Sequence, residues 1–236
     1  MTPTFNGTLA LLGAGEYLPV VEAIDRFLLS RLPAPQRVVC LPTAAGAESE
    51  ERLRYWADLG INHFTRLGAE VQSLPVFDRA SAQDTRLADQ VAEANFVYLS
   101  GGRATYLYDV LVGTPVFDAI MYVLDTGGVV AGCSAGAMIW GEHIPRFPPP
   151  PVCQPGLAYL PNAIILPHFD EISHLMTNIL HFVLGNGHTL VGIDCNTALI
   201  CMDSILTVAG SGGVTVWDAS RKERYTAGET VSLPTS

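Results

Sequence analysis

The chain has 236 residues, of which 49% are hydrophobic and 15% are charged, a composition that excludes intrinsic disorder and a highly charged scaffold. The net charge of −10 and the absence of any basic run exclude nucleic acid as a main partner. No apolar run reaches the length of a membrane span and the first residues lack the pattern of a secretory signal, so we expect a cytoplasmic protein without membrane contact. The five cysteines lack zinc-site spacing, which predicts reduced thiols and no structural metal.

Apolar segments alternate with amphipathic segments through the first half of the chain. The predicted strands are 8–12, 38–41, 71–76, 96–99 and 129–131. The predicted helices are 18–31, 49–67, 83–93, 104–111 and 115–126. Strands that are apolar throughout and connected by helices are typical of a parallel sheet covered on both faces. The pattern therefore predicts a doubly wound α/β fold with a mainly parallel sheet.

The pattern changes after about residue 188 to short strands separated by turns. The predicted strands here are 190–193, 198–202, 206–209 and 214–217. We expect them to form an antiparallel meander on one side of the sheet. No linker separates this part from the rest, so the prediction is a single domain, 1–236.

The segment Gly132-Cys133-Ser134-Ala135-Gly136 follows an apolar strand and leads into a helix, which is the context of a nucleophile elbow. A sharp strand-to-helix turn projects Ser134 from the carboxyl edge of the sheet, and small flanking residues let the backbone pass. The N–H of Ala135 at the helix start is placed to stabilise an oxyanion. The alternative is a glycine-rich turn with a capping serine.

A glycine pair follows the strand 96–99. Loops at this edge of an α/β sheet contact ligands, so the N–H of Gly102 is a candidate second oxyanion donor, although a plain turn gives the same pattern. Arg103 is the nearest basic candidate for substrate binding, or else a solvated loop residue.

After the first strand, Gly13-Ala14-Gly15-Glu16 resembles a dinucleotide fingerprint, but Leu18 replaces the final glycine and no phosphate site is predicted.

A serine nucleophile needs a base, and His168 is the best placed of the six histidines. It follows the apolar run 163–166, so its side chain can reach the same edge as Ser134. The other histidines lie on predicted helices or turns. A structural role for His168 is the alternative.

Several motifs occur together and in order along nearly the whole chain. They are Leu41-Pro42-Thr43-Ala44-Ala45-Gly46, Ser100-Gly101-Gly102, the elbow with Ala137, Pro167-His168-Phe169 and Gly192-Ile193-Asp194-Cys195-Asn196-Thr197-Ala198. The set resembles the peptidase E and cyanophycinase family of serine peptidases. The resemblance implies a class I glutamine amidotransferase-like fold, hydrolysis of peptide bonds by Ser134 with His168 as base, and oxyanion donors at Gly102 and Ala135.

The sequence departs from the family pattern at two places. Cys195 stands where many relatives have the glutamate that orients the histidine, and a thiol cannot hold an imidazolium as a carboxylate does. We expect Asp194 to supply the charge through a local bulge; Asp170, Glu171 and an impaired site are the alternatives. Relatives that cut beside acidic residues also carry arginines after the His-Phe pair, whereas this chain has none there, so acidic specificity is not predicted.

These observations predict a serine hydrolase that cleaves short peptides through a covalent acyl-enzyme. It would need neither a metal nor an organic cofactor, and it would be a monomer or homodimer. A catalytically impaired binding protein on the same fold and a glutamine amidotransferase-like enzyme using the thiol of Cys133 are the alternatives. The proline-rich stretch 145–156 favours a stiff polyproline segment, acting as a lid, a plain surface loop or a docking site.

Overall fold

The computed structural model describes residues 5–146, 152–185 and 187–234, and these form a mixed α/β structure. The helices are α1 (Glu22–Ser30), α2 (Glu50–Arg66), α3 (Arg79–Ala82), α4 (Thr85–Ala92), α5 (Ala104–Leu111), α6 (Pro115–Asp125), α7 (Ala135–Met138) and α8 (His174–Leu184). The strands are β1 (Thr8–Leu12), β2 (Arg37–Leu41), β3 (Glu70–Ser73), β4 (Phe96–Leu99), β5 (Val129–Cys133), β6 (Gly141–Arg146), β7 (Val152–Pro155), β8 (Leu160–Leu166), β9 (Thr189–Ile193), β10 (Thr197–Met202), β11 (Ile205–Gly210), β12 (Gly213–Trp217) and β13 (Lys222–Thr226).

The first sheet is the predicted parallel core. Its strand order is β11-β10-β1-β5-β4-β2-β3. The five strands from β1 to β3 in this order run parallel to their neighbours, and β10 and β11 add an antiparallel edge beside β1. The predicted fold class is therefore confirmed. β3 is shorter than predicted and ends before Pro75, which lacks the N–H that a longer strand requires.

Both faces of this sheet are buried, which explains strands that are apolar at every position. Leu11 of β1 lies in the hydrophobic cluster that contains Trp140, whereas the next residue, Leu12, lies in a second cluster with Phe64. Successive side chains of a strand point to opposite faces, so a strand covered on both sides needs an apolar residue at each position. Helices α1 and α2 cover the Phe64 face, and α4 to α6 cover the other.

The short strands after residue 188 are divided between two sheets, which corrects the prediction of one meander. β10 and β11 join the first sheet, while β9, β12 and β13 belong to a second sheet with the order β13-β12-β9-β8-β6-β7. β9 pairs parallel with β8 and antiparallel with β12. Alternation and turn signals are the same for both arrangements, so the sequence pattern does not show which sheet a strand joins. Val191 of β9 and Leu9 of β1 share one buried cluster, which packs the two sheets together.

The fold brings together the loops that follow several strands. β5 lies between its parallel neighbours β1 and β4, so the loops after these three strands are adjacent. β8 and β9 are parallel neighbours in the second sheet, so their carboxyl ends are adjacent too. The Asn196 N–H donates to the Ala14 carbonyl at 3.0 Å and connects the loop after β9 to the loop after β1.

Two further predictions concern the proline-rich stretch and membrane spans. Residues 147–151, the centre of the predicted stiff segment, lie outside the described residues, and the flanking β6 and β7 pair antiparallel. In the described ranges no single helix is long and apolar enough to cross a membrane. α5 and α6 meet that test only when taken together, with a bend of 96° between them, and one face of each lies in the core.

Candidate active site

The turn after β5 has the geometry of a nucleophile elbow. Ser134 adopts φ 52° and ψ −110°, a conformation that L-residues rarely occupy, and α7 begins at the next residue. A methyl group on Gly132 would lie 2.2 Å from the Gly136 carbonyl oxygen, and one on Gly136 would lie 2.3 Å from the Leu99 carbonyl oxygen. Gly132 therefore lets the elbow close on itself, and Gly136 lets it pack against β4.

His168 is in contact with the serine. Its Nε2 lies 3.2 Å from Ser134 Oγ, within reach for proton transfer. His168 follows β8 and has φ 52° and ψ 35°, and the next residue, Phe169, is buried against Gly192 of β9. A methyl group on Gly192 would lie 2.3 Å from the Phe169 ring. This close packing fixes the turn from which the imidazole projects.

The second polar contact of the imidazole is made by Glu171. Its Oε2 lies 3.1 Å from His168 Nδ1, and Cys195 Sγ lies 3.8 Å from the same nitrogen. With Ser134 donating to Nε2, the hydrogen-bond pattern places the ring proton on Nδ1, where it is donated to the carboxylate. The side chains of His168 and Glu171 are 43% and 67% exposed, so water competes with this pair.

Asp194 does not reach the histidine, which corrects the expectation that it orients the base. Its carboxylate is buried, and Oδ2 accepts hydrogen bonds from the Gly213 N–H at 2.9 Å and from Arg224 at 2.5 Å. Oδ1 has no hydrogen-bond partner in the described part of the chain. Cys195 Sγ is the side-chain atom of this segment that lies near His168, whereas the Asp194 carboxylate is directed to Gly213 and Arg224.

Asp194 instead lines a cavity of about 540 Å³ beside the histidine loop. The cationic side chains of Lys222 and Arg224 also line this cavity. Arg224 pairs with the buried Asp194 carboxylate, so removing either partner would leave a buried charge without compensation.

Asp170 holds the loop that carries Cys195. Its Oδ1 accepts the Cys195 N–H at 2.8 Å. Burial alone would raise the pKa of Asp170, but this hydrogen bond holds the pKa below its ordinary value. Burial has the largest effect on the Cys195 thiol and the Asp170 carboxylate the second largest, and they raise its pKa to about 12. The thiol is therefore protonated and uncharged at neutral pH. The charge beside His168 is therefore supplied by its own loop.

The glycine pair after β4 lies beside the nucleophile. A methyl group on Gly101 would be 3.4 Å from Ser134 Cβ, and Gly102 has φ 145° with its Cα against the Ala44 backbone. Within the described residues, the N–H groups of Gly102 and Ala135 donate to no other group of the chain. Both are available to a bound substrate. The exposed Arg103 side chain likewise has no ion pair in this part of the structure.

Glu16 links the loops around the serine, a role that the sequence does not predict for it. Its Oε1 accepts the Gly101 N–H at 3.0 Å, and its Oε2 accepts the Cys133 thiol at 3.0 Å. The signal that could have found it is its place in the loop after β1, a neighbour of β5. Burial has the largest effect on the Cys133 thiol and the charge of Glu16 the second largest, and both raise its pKa well above the usual value. A fully buried, protonated thiol is not a nucleophile, which counts against the amidotransferase alternative.

Comparison with known proteins assigns this chain to a family. The model of peptidase family S51 matches residues 9–208. The chain belongs to peptidase family S51. A cyanophycinase of Geminocystis herdmanii is 25% identical over 90% of this chain and 80% of its own length. A cyanophycinase of Trichormus variabilis is 30% identical over 67% of this chain, which spans only 57% of that relative.

The fold of this chain is also similar to that of a solved peptidase structure over nearly its whole length. The crystal structure of a peptidase from an acI-B1 Actinobacterium is 33% identical, with a TM-score of 0.86 over 96% of this chain and 97% of that one. The predicted resemblance to peptidase E and cyanophycinase is thus confirmed. This S51 peptidase is a serine-type peptidase, and its elbow and histidine are brought together as that chemistry requires.

Proposed function

We propose that this S51 peptidase hydrolyses short peptides through a covalent acyl-enzyme on Ser134. The observation that carries the proposal is the 3.2 Å contact between Ser134 Oγ and His168 Nε2 at a strained strand-to-helix turn. A hydroxyl is a weak nucleophile until a base within hydrogen-bond distance removes its proton. His168 is such a base.

In the first half of the reaction, Ser134 Oγ attacks the scissile carbonyl while its proton moves to His168 Nε2. The resulting imidazolium is stabilised by Glu171, whose carboxylate accepts the Nδ1–H. The N–H groups of Gly102 and Ala135 donate to the oxyanion that forms on the former carbonyl oxygen. No group in the described part of the chain accepts a hydrogen bond from either N–H, so no such protein hydrogen bond has to break when substrate binds.

In the second half, His168 returns the proton from Nε2 to the leaving amine, which departs as the C–N bond breaks. Water then attacks the acyl-enzyme, with His168 again accepting a proton and passing it to Ser134 Oγ. The cycle regenerates the free serine. No step of this scheme needs a metal or an organic cofactor.

The proposed substrate is a short peptide bound with a carboxylate near Arg103. The Arg103 side chain is exposed, adjoins Gly102 and has no partner among the described residues, so a substrate carboxylate can pair with it. We also propose, from composition, a cytoplasmic monomer or homodimer that binds neither nucleic acid nor membrane.

Labelling with a fluorophosphonate tests the nucleophile. Wild-type protein should be labelled at Ser134 and should hydrolyse members of a short-peptide library, and Ser134→Ala should lose both properties. Ser30→Ala is the matched control, because the Ser30 hydroxyl is bonded to the Phe27 carbonyl at the end of α1. Labelling or hydrolysis that survives in Ser134→Ala would overturn the proposal.

The substrate contact is tested by comparing peptides with a free carboxylate and with an amidated C-terminus. Arg103→Gln should raise KM for the free acid more than for the amide. Arg54→Gln, which removes an exposed arginine paired with Glu50 on α2, should leave the ratio unchanged. An equal effect of Arg103→Gln on both peptides would remove Arg103 from the binding site.

A further inference from the structure

Two side chains, those of Glu171 and Cys195, meet the His168 ring at Nδ1, the nitrogen that does not contact Ser134. His168 Nδ1, a Glu171 carboxylate oxygen and Cys195 Sγ all lie within 4.8 Å of one another. The Nδ1–Oε2 distance is 3.1 Å, and the Nδ1–Sγ distance is 3.8 Å. An imidazole, a thiol and a carboxylate are the three kinds of ligand that zinc prefers in proteins.

The spacing fits a tetrahedral ion. With zinc bonds of about 2.0–2.3 Å, two ligand atoms of a tetrahedron lie about 3.3–3.6 Å apart, between the two distances observed. Glu171 is largely exposed and Cys195 is only partly buried, so small side-chain rotations complete the geometry. The exposed side leaves the fourth position to water.

We propose that His168, Glu171 and Cys195 form a binding site for Zn²⁺ or a similar divalent ion, and that its occupancy inhibits the peptidase. Binding displaces the thiol proton to solvent, and the thiolate, the neutral imidazole and the carboxylate each donate an electron pair to the ion. A thiolate and an imidazole select Zn²⁺ and Co²⁺ over Mg²⁺ and Ca²⁺, which take oxygen ligands.

Inhibition follows from the tautomer of the histidine. Catalysis needs the proton on Nδ1 and a free electron pair on Nε2, which faces Ser134. An ion on Nδ1 uses the electron pair of that nitrogen, so the ring proton moves to Nε2. Nε2 is then a donor and cannot accept the Ser134 proton. The inhibitory effect rests on the proposed function, whereas the binding site does not.

Cobalt provides a readout that is independent of activity. Co²⁺ added to the wild-type chain should give a near-ultraviolet absorption band from thiolate coordination, and stoichiometric Zn²⁺ should abolish it. Cys195→Ser should lose the band, and Glu171→Gln should bind Co²⁺ at least about tenfold more weakly. Cys153→Ser is the matched control, since Cys153 is also a partly buried free thiol and should keep the band.

Activity supplies the second measurement. Zn²⁺ should inhibit wild type and Cys153→Ser but inhibit Cys195→Ser less, with each rate compared with that variant's own metal-free rate. Mg²⁺ should inhibit none of them. A cobalt band without any peptide hydrolysis would support the site while counting against the proposed function. A hydrolytically active wild type without the band, or a band unchanged in Cys195→Ser, would overturn the inference.

Discussion

The exposure of the His168–Glu171 pair sets how much activity should depend on the acid. Glu171→Gln keeps an oxygen that can accept the Nδ1–H but removes the charge that stabilises the imidazolium. A buried triad acid contributes about 10⁴-fold in kcat. Here the two side chains are 43% and 67% exposed, and exposed charge pairs contribute about 0.2–1 kcal/mol. We therefore expect kcat/KM to fall only about 1.4- to 5-fold.

The assay is steady-state hydrolysis of the best peptide from the library, at low salt and in about 1 M NaCl, where screening is strong. The difference between wild type and Glu171→Gln should shrink at high salt. Glu70→Gln, an exposed glutamate on β3 at the far edge of the first sheet, should behave as wild type at both. A loss of 10³-fold or more that is insensitive to salt would refute the reasoning, because it requires an acid shielded from water. No loss at low salt would refute the role of Glu171.

Three other substitutions test the residues that hold the site. Asp194→Asn should lower the free energy of unfolding by about 1–3 kcal/mol in urea titrations and leave kcat/KM near wild type, because the carboxylate bonds to Gly213 and an arginine rather than to the histidine. A loss of activity without a loss of stability would contradict this. Gly136→Ala places a methyl group 2.3 Å from a carbonyl oxygen and should cost about 1–3 kcal/mol and most of the fluorophosphonate labelling, more than Gly68→Ala, which has φ 92° but no atom within 4 Å. Asp170→Ala should destabilise the protein by about 1 kcal/mol at pH 7. Since the native pKa of Asp170 is lowered, this stabilisation is present above the unfolded pKa of about 3.9 and is lost as the pH falls through the native value, so the cost should vanish in acid; an equal cost at both pH values would contradict it.

The parallel core could be predicted because burial on both faces leaves a clear signal. Each of its strands is a short apolar run, and each helix between them shows one apolar face, so β1, β4 and α5 occur at the residues expected. The second sheet could not be predicted, because the residues of a strand do not show which other strand it pairs with. β9 and β10 are separated by three residues yet lie in different sheets.

The contact between Ser134 and His168, the proposed nucleophile and base, could be predicted because it depends on local patterns. The elbow is a short motif at the end of a strand, and the position after β8 brings His168 to it. The histidine's partner depends on one loop conformation. His168 adopts a left-handed backbone conformation, and the following turn returns Glu171 to the ring three residues later. Nothing in the sequence indicates that turn, which is why the sequence predicts Asp194 as the partner and leaves Glu171 as an alternative.

The thiol at position 195 changes how the site is held together. An acid at this position would belong to the turn after β9, and the histidine loop would move relative to it. Here base and acid belong to one turn, so a shift of that turn moves them together and preserves the Nδ1–carboxylate contact. What must be maintained is the distance from the turn to Ser134, and this depends on Phe169 packing against Gly192 and on the Asp170 bond to the Cys195 N–H. The two contacts anchor the turn to β9 and to the loop after it, which therefore position the His168–Glu171 pair without contributing an acid to it.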